Sequence, residues 1–282
     1  MIKPALQDDA FLADVAQSRG QPGFRLWWLG QSGFLLQWEE RHLLFDPYLS
    51  DSLTSKYSET DKPHVRMTER VIEPERLDFI DVVTSSHQHT DHLDPETLES
   101  LAEANPTIEF VAGEAHRELS ADRAGMPADQ IVGMDVGRSE MVEGFEITAV
   151  PAAHEGLDKD DKGRQLYLGY IVQFENWTVY HSGDTVMYPD IVNNLRAWSI
   201  DVALLPINGS RPERRVSGNL WGTEAAQLAR DIGAGVVVPC HYEMFEFNSV
   251  TPDEFIEEAE SIGQPYVVMK AGSRLDMPPS SN

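Results

Sequence analysis

Apolar residues open the chain in short runs of strand length: FRLWWLG (24–30), GFLLQW (33–38) and HLLFD (42–46). Runs of that length bounded by turn residues predict strands, and Gly30 and Gly33 bracket the first connection, which predicts an antiparallel meander. The polar stretch DPYLSDSLTSKYSETDKPHVR then predicts a long loop of the kind that carries function. IDVVTSS (80–86) reads as a nearly continuous buried strand, and DPETLESLAEA (94–104) as a helix with Asp94 at its N-cap and Pro95 at N1. Strand and helix patterns alternate from there: TIEFVAG, EAHRELSADRAG, FEITAVPAAH, LGYIVQF, WTVYHSGDT, DIVNNLRAW, IDVALLPI, TEAAQLARDIG, GVVVPCHY, PDEFIEEAESIG and PYVVM. Residues 1–22 read as an N-terminal extension, a helix and turn closed by Gly20, Pro22 and Gly23, ahead of a single domain over 23–282. Strands that give way to strand–helix units predict an α/β fold, two sheets faced by helices in a four-layer αββα sandwich.

Composition narrows the setting. A chain of 282 residues can bury a full core without covalent help, and its one cysteine, Cys240, permits no internal disulfide. That favours a reducing compartment, and a cytoplasmic location is expected. The start, MIKPALQDDAFLADVAQS, is too acidic and broken for a signal peptide, and no apolar run approaches the roughly 20 residues of a membrane span. The net charge of −25 would repel a polyphosphate backbone, so nucleic acid is not the expected partner. A small-molecule substrate is, with homo-oligomerisation left open.

The candidate chemistry lies in VVTSSHQHTDHLD (82–94), where three of the nine histidines fall together. His87 and His89, two apart in extended chain just past a buried strand, share a direction and can converge on one metal. Asp91 and His92, after the chain bends, can converge on a second point nearby. Imidazole and carboxylate are ligands that zinc accepts. Three more strand ends supply one candidate each: His154 after VPAA, Asp184 in VYHSGDT and His241 in VVVPCHY. Strand ends are where α/β sheets gather their sites. His87, His89 and His154 then suit one metal, Asp91, His92 and His241 the other, and Asp184 can bridge both, with room between for a hydroxide. Any one of these histidines alone would read as an ordinary core or surface residue; the set does not. His42, His64, His116 and His181 lack this company, and His181 is expected to pack beneath the site.

H-x-H-x-D-H followed by a later His, an Asp and a last His resembles the signature of the metallo-β-lactamase superfamily, over roughly residues 24 to 272. The resemblance implies the same ligand sets: His87, His89 and His154 for the first metal, Asp91, His92 and His241 for the second, Asp184 as the bridge. It also implies that Asp46, in LLFDPYLSD, steadies the site from behind the ligands. LWWLGQSGFLLQW, YHSGDT and IDVALLPINGSRPERR look like the L-ascorbate-6-phosphate lactonase group. HQHTDHLDPETL and VVVPCHYEMFEFN are similar to the N-acyl-phosphatidylethanolamine-hydrolysing phospholipase D group.

The expected activity is therefore metal-dependent hydrolysis of a small lactone, ester or phosphoester. Two divalent ions, zinc before manganese or iron, lower the pKa of the water between them so that hydroxide attacks, with Asp91 and Asp184 as the catalytic carboxylates. A phosphodiesterase is the alternative activity, and a non-catalytic metal-binding protein the alternative from another class, although no ligand is lost. A di-iron redox protein on this fold would carry a glutamate in place of His89 and a flavin domain, and shows neither. For substrate grip, PINGSRPERRVSGNLWG (206–222) offers Asn208 and Arg211, with Arg214 and Arg215, and Tyr242 borders the last ligand. Lys56, Tyr57, Arg164 and Tyr167 are weaker candidates on bordering loops.

Overall fold

The opening apolar runs form β1 (Phe24–Gly30), β2 (Gly33–Trp38) and β3 (Arg41–Phe45), an antiparallel meander in the computed structural model, which describes residues 1–154 and 156–279. The chain then adds β4 (Val82–Ser85), β5 (Glu109–Gly113) and β6 (Ile131–Met134) in parallel. A late strand, β13 (Arg274–Met277), pairs antiparallel with β1 and completes a seven-stranded sheet in the order β13-β1-β2-β3-β4-β5-β6. The second sheet has six strands: β7 (Ser139–Val142), β8 (Phe145–Pro151), β9 (Leu168–Phe174), β10 (Trp177–His181), β11 (Val202–Pro206) and β12 (Val236–Cys240). They run in the order β12-β11-β10-β9-β8-β7, and the parallel pairs are β10–β11 and β11–β12.

The two sheets pack face to face with helices outside, an αββα sandwich. Every residue of β1 is buried because both its faces are covered. Phe24 points across the interface, its ring meeting Phe174 at 5.2 Å and Trp177 at 5.1 Å, both edge-on. Trp27, three residues on and so on the opposite face, meets Phe11 of α1 (Asp8–Ser18). Its indole nitrogen donates to Asp14 (2.8 Å), and Phe11 and Val15 are buried in the main core, so the N-terminal helix is docked on the sheet. Helix α4 (Arg117–Ala124) packs on β5 and β6 of this sheet with α3 (Pro95–Ala104) against it, while α6 (Gly222–Ile232) packs on β11 and β12 of the other with α5 (Ile191–Leu195) and α7 (Asp253–Ile262) against it. Asp94 caps α3 by accepting from the Thr97 amide, with Pro95 in the first turn, as the sequence predicts.

Three segments differ from the sequence reading. The long polar loop holds a short helix, α2 (Ser52–Tyr57), seated on Leu53. PYVVM makes only an isolated bridge, Tyr266 to Val237, because it lies beside an edge strand without a continuous ladder. The edge strands β7 and β13 carry alternating exposed residues and little apolar signal. No helix among the described residues is long and apolar enough to cross a membrane.

Candidate metal centre

Five strands end in a candidate ligand or its support: β3 in Asp46, β4 in the 86–92 turn, β8 in His154, β10 in Asp184 and β12 in His241. Two of these positions need unusual backbone. Asp46 and His241 take left-handed φ of 37° and 62°, turning the chain sharply off the strand. Gly183, at φ 58°, allows the approach of Asp184, since a Cβ there would sit 2.6 Å from the Leu168 carbonyl oxygen and 2.7 Å from Ser86 Cβ.

The turns bring the side chains into two groups with ligand atoms within 4.8 Å of one another, His87, His89 and His154 in one and Asp91, His92 and His241 in the other. In the first group His87 Nε2 lies 3.0 Å from His89 Nδ1. Three rings have their Nδ1 occupied: His154 Nδ1 donates to the Gly218 carbonyl (2.9 Å), His87 Nδ1 meets Ser86 Oγ (3.0 Å), and His92 Nδ1 meets Asp46 (2.7 Å). Each such bond fixes the ring so that Nε2 points inward. Asp184 faces both groups, with Oδ1 3.2 Å from His92 Nε2 and Oδ2 3.3 Å from His241 Nε2 and 3.6 Å from His154 Nε2. His92 Nε2 and Asp184 Oδ1 are buried and make no hydrogen bond among the described residues. Buried groups of that kind are rare unless something else binds them, and this donor set suits a divalent ion. Asp46, also within reach of His87 and His92, is already spent: it accepts from Ser86 N (3.0 Å), Ser86 Oγ and His92.

The profile of the beta-lactamase superfamily domain matches residues 41–242, a span that runs from β3 through the last histidine. The chain belongs to the metallo-β-lactamase superfamily. Within it, the UPF0173 metal-dependent hydrolase of Methanopyrus kandleri is 30% identical over 242 residues, covering 85% of this chain and 93% of that one. A metallo hydrolase from the archaeon Ignicoccus hospitalis shares the fold with a TM-score of 0.66 at 24% identity, over 90% of this chain and 98% of that one. The metallo-beta-lactamase fold protein YhfI of Bacillus subtilis superposes with a TM-score of 0.63 at 16% identity, over 90% and 99%. The protein is a metal-dependent hydrolase of the UPF0173 family.

In this hydrolase the ligand groups balance one another's charge. Burial opposes a charge on His92, but Asp184 and Asp91 outweigh it and hold its proton well above the ordinary imidazole range. His241 is raised to about 9 in the same way, against burial, by Asp184 and Asp91. Burial disfavours an ionised Asp184, yet His241 and His92 hold its carboxyl well below the usual range. The first group behaves oppositely: burial pushes His154 down to about 4 and His87 well below its ordinary value, so these rings are neutral. Neutral imidazole is the form that binds metal.

A cavity of about 860 Å³ opens over the centre, lined by His89, Asp91, His154, Asp184 and His241. Arg211 lines it too, exposed, with its guanidinium 5.5 Å from the Trp221 ring, and so do Lys56 and Tyr57. Asn208 and Tyr242 do not. Asn208 is wholly buried behind the wall, donating to Asn248 and accepting from Asn219, both at 3.0 Å. Tyr242 turns away after the left-handed His241, packs on Trp28 (4.6 Å) and donates to the Met269 carbonyl (2.5 Å). Both therefore brace the structure behind the site. Arg214 is likewise buried against Asn208, Asn248 and Ser249, Arg164 pairs with Asp160 and Glu114, and the Tyr167 ring lies 5.3 Å from that of His87. His181 Nε2 donates to the Ser32 carbonyl (2.9 Å), and the ring stacks on Phe45 between the sheets. Cys240 is buried, and burial holds its thiol well above its ordinary value, which removes it as a nucleophile.

Sequence reasoning passes over Gln31. Its side-chain Nε2 donates to Asp91 Oδ2 (2.7 Å) and lies 3.0 Å from His241 Nε2, while its backbone carbonyl accepts from the His241 amide (2.9 Å) and the Trp28 indole (3.0 Å). It thus ties the β1–β2 turn to the second ligand group. Its place in the GQSG turn between two apolar runs was the available signal. Arg123, Lys62, His64, Phe245 and Phe247 also line the cavity and have no such signal.

Proposed function

We propose that this hydrolase works with two divalent ions, zinc first among them, on a small lactone, ester or phosphoester, as its resemblance to the L-ascorbate-6-phosphate lactonase group suggests. The observation that carries the reading is Asp184, whose two oxygens address His92 on one side and His154 and His241 on the other. His87 Nε2, His89 Nδ1 and His154 Nε2 would hold one ion, and Asp91, His92 Nε2 and His241 Nε2 the other. When bound, such ions act as Lewis acids on the substrate and lower the pKa of water towards about 7.

The chain's own groups supply the rest. Asp184 holds the two ligand groups at a fixed separation. Asp46 and the Gly218 carbonyl hold His92 and His154 in the tautomer that presents Nε2. Asp91 lines the cavity, and its Oδ1, outside the Gln31 bond, is assigned to take a proton from the attacking water and pass it to the leaving oxygen. A phosphodiester is the second reading, favoured by the lysine and arginine side chains on the cavity wall.

Elemental analysis after zinc saturation and desalting should give close to two equivalents per chain, and Asp184→Asn should lower that count and abolish turnover in a screen of lactones, phosphodiesters and thioesters. A firm count of one, with no gain in activity on adding metal, would overturn the two-ion reading.

A further inference from the structure

The chain is strongly acidic, 47 acidic residues against 22 basic, yet its cavity is not. Apart from Asp91 and Asp184, which belong to the metal centre, the charged side chains lining it are Lys56, Lys62, Arg123, Arg211 and Arg215. Three of these are spent locally. Lys62 donates to the Arg215 carbonyl (2.7 Å), Arg215 pairs with Asp61 (2.9 Å), and Arg123 donates to the carbonyls of Gln88 and Leu93. Lys56 and Arg211 have no carboxylate within ion-pair distance among the described residues. Each is exposed beside an aromatic ring, Lys56 at 5.3 Å from Tyr57 and Arg211 at 5.5 Å from Trp221. In a protein with this much surplus acid, two cations that line one cavity with no hydrogen-bonded or ion-pair partner among the described residues mark a place for an anion.

The same cavity has an apolar wall that does not belong to the main core. Tyr48, Leu53, Met244 and Phe245 form a separate small cluster, with Tyr57 and Phe247 half-buried on its outer side. His64 sits among them, stacked on Tyr57 at 4.2 Å and edge-on to Phe247 at 4.5 Å. Leu53, Tyr57, His64, Phe245 and Phe247 all reach the cavity. A half-buried aromatic face beside a metal centre is placed to take a flat apolar group. The volume, about 860 Å³, lies in the upper part of the range for sites that enclose a drug-sized ligand, of roughly 300–1,000 Å³.

We infer that the substrate is an aryl-bearing anion: a reacting ester or phosphoester at the metal centre, a flat apolar group against Tyr57 and Phe247, and a second negative group, apart from the reacting bond, held by Lys56 and Arg211. This rests on the two-ion reading above and adds the substrate class to it. Hydrolysis at the metal centre then leaves the remote anion and the ring untouched, so they serve binding and selection alone.

Three probes separate the parts by calorimetry on the zinc-loaded protein: phenylphosphonate carries ring and metal-binding anion, 3-phosphonopropionate carries two anions without a ring, and 4-carboxyphenylphosphonate carries all three features. The last should bind about tenfold or more tightly than phenylphosphonate, the worth of a charged hydrogen bond, and about tenfold or more tightly than 3-phosphonopropionate, the worth of burying the ring. Lys56→Ala with Arg211→Ala should erase its advantage over phenylphosphonate, and Phe247→Ala its advantage over 3-phosphonopropionate. Equal affinities for the three probes, or advantages that survive these substitutions, overturn the inference while phenylphosphonate binding keeps the metal centre intact. No binding of any probe to the loaded protein overturns it together with the reading on which it rests.

Discussion

Replacing Asp46 by asparagine exchanges one carboxylate oxygen for an NH₂ in the least accessible part of the centre. The carboxylate is fully buried and accepts three hydrogen bonds, from the Ser86 amide and hydroxyl and from His92 Nδ1. Two of them converge on Oδ2 and one on Oδ1. An asparagine amide can offer its oxygen to one side only, so in either orientation its NH₂ meets at least one of these donors. One bond to a charged acceptor is then lost, at about 1.5–3 kcal/mol, and those that survive become neutral and weaker. Together these put the loss of stability of the metal-free protein at about 2–4 kcal/mol. The effect on metal follows from the His92 ring, which loses the partner that fixes Nε2 towards Asp184, and such changes behind a ligand typically cost about 10–100-fold in affinity. Urea unfolding of the metal-free protein measures the first quantity, and competition against a chromophoric chelator the second. Stability within about 0.5 kcal/mol of the parent and affinity within about twofold would refute the reasoning, and Asp46 would be only the turn residue before Pro47.

Two further substitutions test parts of the fold that feed the site. Gln31→Ala removes the amide between Asp91 and His241 and should weaken the second equivalent of zinc by about tenfold, with the first unchanged; calorimetric titration resolves the two, and an equal loss at both sites would show general loosening instead. Phe11→Ala deletes a fully buried ring of α1 against Trp27 and should cost about 3–5 kcal/mol in denaturant unfolding; a loss under about 1 kcal/mol would show that the helix adds little to the domain.

The candidate centre was legible in the sequence because three of its members sit one to three residues past the end of an apolar strand. His154, Asp184 and His241 each follow such a run, and strand ends on one rim of a sheet must meet. The same reasoning misleads for a neighbour one residue on. Tyr242 shares the strand end with His241, but the left-handed backbone at 241 sends its ring to Trp28 and away from the cavity. Asn208 follows β11 closely and is drawn inward by Asn219 and Asn248. Proximity along the chain locates a residue near a site without giving the direction of its side chain. Gln31 fails for the opposite reason: its partners lie 60 and 210 residues away, and a lone glutamine in a turn carries no spacing by which to find them. The edge strands β7 and β13 escape because half of their residues face water.

The charge shows most plainly what composition leaves out. A net −25 argues against a polyanionic partner because such a partner meets the field of the whole surface. A small anion inside a cavity meets mainly the few charges within a Debye length, about 8 Å at physiological ionic strength. Lys56 comes from α2, Arg211 from the segment after β11 and Arg123 from α4, so no window of the sequence displays them as a cluster. The fold sorts cations to the mouth of the centre and leaves the surplus acid elsewhere. The acidic surface then has a consequence for rate: it slows the approach of an anionic substrate from bulk, and the repulsion is screened as salt is added. For 4-carboxyphenylphosphonate and zinc-loaded protein, the association rate should therefore rise with ionic strength from about 10 mM to 150 mM, while the dissociation rate from Lys56 and Arg211 rises as well. Stopped-flow mixing resolves the two, and an association rate that falls with salt would show that the cavity's own cations dominate the approach.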